Sequence, residues 1–168
     1  MSSTLPLLVA LQQVQPVPNV DAGTSLVGSA VGTFLTTLVV GAILVAVAPE
    51  YTERMMDRVV EEPVGSFVYG LVCLLFVLLV TIVLVVTIIG ILLAIPFALL
   101  AGVIWAVGAA IAYLAIADRL VGRDDGWTKP LLVAAALNGG LTLTGIGGIV
   151  SFCVGAAGFG AVLRDWLA

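Results

Sequence analysis

Long uncharged apolar runs dominate this sequence and limit what it can fold into. Leu26 to Ala48 contains 23 residues without a charge, and Phe67 to Ile89 is a second run of the same length. About 20 consecutive apolar residues cross the hydrocarbon core of a bilayer as an α-helix. Only 10% of all residues are charged, compared with ~25% in soluble domains. The sequence therefore predicts an integral membrane protein built from α-helices.

The order of the apolar runs predicts an all-α, polytopic helical bundle. One span is followed by two helical hairpins, giving four or five membrane helices in a single membrane domain at 26–168. Proline and other turn formers predict an irregular N-terminal tail at 1–25. A helix over 130–143 is about 21 Å long, short of the ~30 Å core, so crossing and re-entry both stay open. Helices are predicted at about 26–48, 50–62, 67–89, 92–117, 130–143 and 146–165.

A charged segment separates the first two long apolar runs. Its charges recur every three or four positions between Pro49 and Pro63, which is helical spacing. Met55, Met56 and Val59 lie on the opposite arc of that helix. This pattern predicts an amphipathic helix of about three turns at the membrane surface.

The basic residues predict the orientation of the chain. If each hairpin enters the membrane and returns, all six lie on one side: Arg54, Arg58, Arg119, Arg123, Lys129 and Arg164. Basic loops face the cytoplasm in most membrane proteins. We therefore expect a multi-pass cell-membrane protein with its N-terminus outside and its C-terminus in the cytoplasm.

Small residues recur at every fourth position on three of the predicted membrane helices. Such spacing gives a smooth face on which another helix can pack closely. We predict helix packing within the chain through these faces, with a homo-oligomer as the alternative, and a mostly lipid-facing second span. The residues are Gly28, Gly32, Ala94, Ala98, Gly102, Ala106, Gly147, Ser151 and Gly155.

The two predicted hairpin turns share a short pattern. Thr87-Ile-Ile-Gly90-Ile91 and Thr142-Leu-Thr-Gly145-Ile146 both pair Thr with Gly three residues later. A duplicated hairpin and a chance match of frequent residues are both consistent with so short a repeat.

Catalytic and metal-binding patterns are absent from the sequence. It has no histidine, which removes the commonest metal ligand and general base. Its net charge of −4 argues against nucleic acid as a partner. We therefore predict a protein that is not an enzyme and needs no cofactor or metal. Asn138, in an apolar run, has two interpretations: an interhelical hydrogen bond, or the lining of a ligand or ion path.

One combination of motifs resembles a known family. It comprises Pro49-Glu-x3-Arg54-x3-Arg58-x4-Pro63, then Ser66 and Gly70, a long Val/Leu helix, the Thr87 turn with Pro96, and glycine-rich closing helices. Together these resemble the membrane-embedded domain found with bactofilin-type polymer-forming proteins of bacteria and archaea. The resemblance implies a membrane anchor coupled to a filament-forming repeat, and this sequence does not contain that repeat.

These observations predict an integral membrane scaffold or anchor. The lipid bilayer is one partner, and the amphipathic helix and the 118–129 loop present a surface to a cytoplasmic protein. A small transporter or channel subunit is the alternative. The predicted partner-binding residues are Arg54, Arg58, Glu61, Arg119 and Arg123.

Overall fold

The computed structural model describes residues 22–124, 126–144 and 146–167 and confirms the all-α class. Within these ranges the chain forms six helices and no strand. Most of the tail predicted at 1–25 lies outside the described residues. The helices are α1 (Ala22–Val47), α2 (Pro49–Glu61), α3 (Pro63–Val86), α4 (Ile88–Val121), α5 (Thr128–Thr142) and α6 (Gly147–Leu167).

Two prolines set the boundaries around α2. Pro49 and Pro63 each occupy the first turn of a helix, where the missing N–H breaks no hydrogen bond. The Thr52 hydroxyl donates to the Ala48 carbonyl at 2.9 Å across the first boundary. The helices α1, α2 and α3 therefore follow one another with a single residue between them.

The first hairpin turn is tighter than predicted. Only Thr87 separates α3 from α4, so α4 begins at Ile88 rather than at residue 92. Pro96 lies inside α4 and does not end the turn. A proline is tolerated there because neighbouring groups in a membrane bundle can satisfy the freed backbone.

Both hairpin turns are closed by a threonine that caps the preceding helix. Thr87 donates to the Leu84 carbonyl through its N–H at 3.2 Å and its hydroxyl at 3.0 Å. Thr144 donates to the Leu141 carbonyl in the same way, at 3.0 Å and 2.8 Å. The two turns therefore use the same local structure.

A glycine follows each capping threonine by three residues. A Cβ on Gly90 would overlap the Leu84 carbonyl oxygen, and one on Gly147 would overlap the Leu141 carbonyl oxygen. The shared motif is thus Leu-x2-Thr-x2-Gly, and the predicted repeat was wrong by two residues in the second hairpin. Its Gly145 lies outside the described residues.

Helix α4 lies at the centre of the bundle. It packs against α3 and α6 on one side and against α1 and α5 on the other. In the described chain α1, α3, α4 and α6 are long and apolar enough to cross a membrane, as in a multi-pass protein. The 15-residue α5 is about 22 Å long, so crossing and re-entry stay open for it.

The apolar face of α2, which was predicted to lie at the membrane surface, packs on protein. Met55 is fully buried, and Met56 and Val59 are almost so. They join the core cluster with Ile111 and Leu114 of α4. This face is therefore not available for insertion into lipid.

Candidate functional site

Ion pairs join α2 to the end of α6. Asp165 accepts from Arg58 at 2.8 Å and lies 3.5 Å from Arg54. Arg164 of α6 forms a further ion pair with Glu62, at the junction of α2 and α3. These contacts hold the amphipathic helix across the end of the bundle.

A second set of ion pairs joins α2 to the end of α4. Arg123 donates to Glu53 and to Asp118, both at 2.8 Å. Its guanidinium also lies over the Trp127 ring, 4.7 Å from the centroid. We call the side chains joined by the two sets of pairs the charged layer: Glu53, Arg54, Arg58, Glu62, Asp118, Arg123, Arg164 and Asp165.

The charged layer also affects a tyrosine of α2. Burial raises the pKa of the Tyr51 hydroxyl, and the charge of Asp165 raises it further. Arg54 and Arg58 act in the opposite direction on the same pKa. Tyr51 therefore keeps its proton to a higher pH than an exposed tyrosine.

The five predicted partner-binding residues fall into two groups. Arg54, Arg58 and Arg123 form ion pairs within the chain. Glu61 and Arg119 are exposed, and neither forms an ion pair within the described residues. The first group therefore fixes α2, while the second is available to another molecule.

Acidic side chains cover the outer face of α2. Glu50, Asp57 and Glu61 are exposed, and across the described ranges none of them is ion-paired. Among these three, only Glu61 was predicted to bind a partner. The helical spacing of the charges contained the signal for the others, since the buried arc of α2 leaves them on its opposite side.

A close helix contact joins α4 and α6 through two glycines that were not predicted. A Cβ on Gly108 would lie 2.5 Å from the Phe159 nitrogen, and one on Gly158 would overlap the Gly108 carbonyl oxygen. Gly155, which was predicted, packs against Trp105 with 2.6 Å between the added Cβ and the indole ring. Small residues therefore allow these two backbones to touch.

Helix α3 also packs closely on α6, although no small-residue face was predicted for it. A Cβ on Gly70 would overlap the Ala156 carbonyl oxygen, and one on Gly160 would overlap the Ser66 carbonyl oxygen. The rest of α3 is largely exposed, as expected for a helix that faces lipid. Ser66 and Gly70, four residues apart, were the missed signal.

Several predicted packing residues do not pack within the chain. Gly28, Gly32 and Gly102 have no neighbouring atom within 4 Å of an added Cβ, and Ala98 is exposed. The predicted packing within the chain is therefore not formed at these four positions, and the homo-oligomer alternative stays open for them. Helix α1 instead turns its packed side towards α5. There, a Cβ on Gly139 would lie 3.0 Å from the Ala30 carbonyl oxygen.

The remaining predicted packing residues have different surroundings. Ala94 is buried, and Ala106 is half-buried. Gly147 belongs to the second hairpin turn, described above. Ser151 accepts a hydrogen bond from the Tyr113 hydroxyl at 2.9 Å, which links α6 to α4.

A polar groove of about 440 Å³ lies between α1, α4 and α5. Asn138 is almost buried beside it and donates through Nδ2 to the Thr37 hydroxyl at 2.7 Å. Thr33 and Thr36 also line the groove, and each donates to a carbonyl of its own helix at 2.8 Å. Asn138 therefore forms an interhelical hydrogen bond, which was the first of its two interpretations. It also lines a groove, and the second interpretation, the lining of a ligand or ion path, stays open.

Potential metal ligands are not grouped in the described part of the chain. Within it, no three His, Cys, Asp or Glu side chains are placed to hold one ion. The two cysteines, Cys73 and Cys153, are free and half-buried.

Comparison with known proteins gives one match. No curated protein and no solved structure matches the chain significantly. The resemblance to the bactofilin-associated membrane domain stays a prediction, because nothing in the match links the two. The sequence profile that matches covers residues 1–167, and the chain therefore belongs to the family described as a domain of unknown function, DUF8173.

Proposed function

We propose that the protein is a multi-pass membrane scaffold that presents the outer face of α2 to a cytoplasmic protein. One observation carries the proposal. The ion pairs of Arg54, Arg58 and Arg123 fix α2 across the bundle, while acids on its outer face remain exposed. A fixed, charged surface reduces the entropy that a partner must remove on binding.

The distribution of basic residues supports a cytoplasmic position for this surface. Arg58, Arg123 and Arg164 belong to the charged layer, which lies at the end of the bundle away from both hairpin turns. Basic residues favour the cytoplasmic side. With this orientation, α1 enters from outside and α6 ends in the cytoplasm.

The chemistry of the outer face indicates a basic partner. Glu50, Asp57 and Glu61 would attract Lys or Arg side chains and would repel anionic lipid. The resemblance described above suggests a polymer-forming cytoskeletal protein as the candidate. The arginines of α2 then serve the partner indirectly, by holding the helix that carries these acids.

Affinity purification from native membranes in mild detergent tests the proposal. Asp57→Asn combined with Glu61→Gln removes two charges from the outer face without touching an ion pair of the charged layer. We expect the recovered partner to be lost while membrane insertion is unchanged. The partner should then bind purified wild-type protein directly, with an affinity that falls as salt increases.

Asp124→Asn combined with Asp125→Asn is the matched control, since it removes two charges from the neighbouring loop. Partner recovery should be retained with this variant. Loss with both variants would place the loop in the contact as well. Equal recovery with wild type and with the outer-face variant would exclude α2 as the binding surface.

The polar groove favours a small transporter or channel subunit as the second candidate. Its hydroxyl groups and Asn138 lie among membrane-spanning helices, where polar side chains often line solute paths. Solute flux into reconstituted vesicles tests this function. Flux that disappears with Asn138→Leu would replace the scaffold proposal, whereas we expect no flux with either protein.

A further inference from the structure

An apolar groove of about 590 Å³ lies between α2, α3, α4 and α6. Its walls are almost entirely hydrocarbon, and a single basic side chain belongs to its lining. The volume is within the range of roughly 300–1,000 Å³ that is typical of small-molecule sites. The lining includes Val60, Phe67, Ile116, Val154 and Arg119.

The groove runs from the charged layer towards the middle of the membrane helices. Val60 lies on α2, beside the charged layer, while Cys153 lies on α6, twelve residues before Asp165. Twelve helical residues correspond to about 18 Å. The groove therefore has the direction of a lipid acyl chain whose headgroup lies at the charged layer.

Arg119 differs from the other arginines of the chain. Arg54, Arg58, Arg123 and Arg164 form ion pairs, but over the described ranges Arg119 forms none. The adjacent Asp118 is already paired with Arg123. Arg119 therefore brings an uncompensated positive charge to the charged-layer end of an apolar groove.

We propose that this groove binds one anionic phospholipid, with its phosphate on Arg119 and an acyl chain along α4 and α6. Basic sites between helices on the cytoplasmic side are typical of anionic lipid recognition. The long arginine side chain can keep its head at the interface while its stem covers apolar surface. The proposal does not depend on the protein partner of the scaffold.

Native mass spectrometry of the full chain in detergent tests the site, with phosphatidylglycerol and phosphatidylcholine as probes. Wild type should retain phosphatidylglycerol in preference to phosphatidylcholine. Arg119→Gln should weaken phosphatidylglycerol binding about five- to tenfold, because it removes one charged hydrogen-bonding group. Ala157→Phe should weaken it as well, because the ring would fill the groove.

Lys129→Gln is the matched control, since it removes one positive charge from the same end of the protein and Lys129 does not line the groove. This variant should bind phosphatidylglycerol as wild type does. Equal weakening by Lys129→Gln and Arg119→Gln would overturn the proposal, because it would show general attraction to the basic end of the protein. A change of oligomeric state with Arg119→Gln or Ala157→Phe would overturn it in favour of a second copy in the groove.

Discussion

Helix α4 has small residues on two faces, and a neighbouring helix packs closely on only one of them. On the packed face, Gly108 lies against the backbone of α6 at Gly158. On the open face, a Cβ added at Gly102 would have no neighbour within 4 Å apart from the adjoining backbone, and Ala106 lines the polar groove. Small residues of α4 thus lie in a close helix contact on one face and beside an open groove on the other.

The difference shows that a small-residue face permits close packing without causing it. On the packed face, both helices supply glycine at the same level. On the open face, α1 and α4 approach at Gly41 and Leu114, nearer the charged layer, and the groove lies between them further along. There α1 packs through Ala30 and Phe34 against Gly139 of α5 instead.

Alanine substitutions on the two faces should give the largest contrast. Gly158→Ala should destabilise the protein by more than about 3 kcal/mol, because its Cβ would overlap backbone that cannot move independently. Gly102→Ala should be neutral or stabilising by about 0.5–1 kcal/mol, because alanine loses less entropy in a helix than glycine. Unfolding in mixed micelles, followed by circular dichroism, measures both.

Gly140→Ala provides a second control, because a Cβ added at Gly140 would also meet no neighbouring side chain or helix within 4 Å. Like Gly102→Ala, this substitution should leave the stability of the protein unchanged or raise it. Similar losses of stability at Gly158 and Gly102 would show that both faces are packed. The contrast between the two faces would then have to be abandoned.

The sequence was sufficient to predict the helices but not their neighbours. Apolar run length identified α1, α3 and α4 as span-length helices, and Pro49 and Pro63 marked the limits of α2. Around Gly158, however, small residues occur on every side of the helix, as Gly-Ala-Ala-Gly-Phe-Gly-Ala over 155–161. A four-residue period selects no face in such a run, and α6 in fact packs on α3 and α4 together.

The charged helix shows a second limit of sequence reasoning. Its spacing predicted which side of α2 is apolar, but lipid and protein are equally good environments for Met55. The structure buries Met55 completely in the core cluster. Likewise, charge spacing cannot distinguish arginines that bind a partner from those that pair with Asp165, a residue more than 100 positions away.

Hydrogen bonds on the two sides of α4 allow a smaller, quantitative comparison. Asn138 and Thr37 join α5 to α1 beside the groove, while Tyr113 and Ser151 join α4 to α6. A double-mutant cycle with Asn138→Ala and Thr37→Val should give a coupling of about 0.6 kcal/mol, and at most about 1.7. The cycle with Tyr113→Phe and Ser151→Ala should give a similar value.

Agreement between the two cycles would show that packing, and not hydrogen bonding, distinguishes the two sides. A coupling near zero for Asn138 and Thr37 would mean that water or another molecule in the groove replaces the bond. The groove would then be wet in the membrane, which would favour the transporter candidate. The Tyr113 cycle serves as the internal control because it lies on the packed side.

The ion pairs of Asp165 should stabilise the packed side less than its glycines do. Asp165→Asn weakens the contacts to Arg54 and Arg58, whose side chains are 59% and 43% exposed. Exposed ion pairs each contribute about 0–1 kcal/mol, so the loss should be about 1 kcal/mol and should shrink at high salt. Trypsin should cleave the Asp165→Asn variant at Arg54 and Arg58 faster than it cleaves wild type. Asp124→Asn is the control, and this variant should be cleaved at the rate of wild type.

Filling the open face is expected to have the smallest effect and tests the comparison most directly. Gly102→Leu adds a side chain at a position where an added Cβ meets no atom within 4 Å apart from the adjoining backbone, and Gly32→Leu does so on α1. If lipid occupies this face, both variants should keep the oligomeric state of wild type, measured by light scattering in detergent. If a second copy packs there, each variant should dissociate it, because leucine prevents close backbone approach. The two faces of α4 would then both be packed, and they would differ only in what they pack against. One face would contact α6 of the same chain, and the other would contact another copy of the protein.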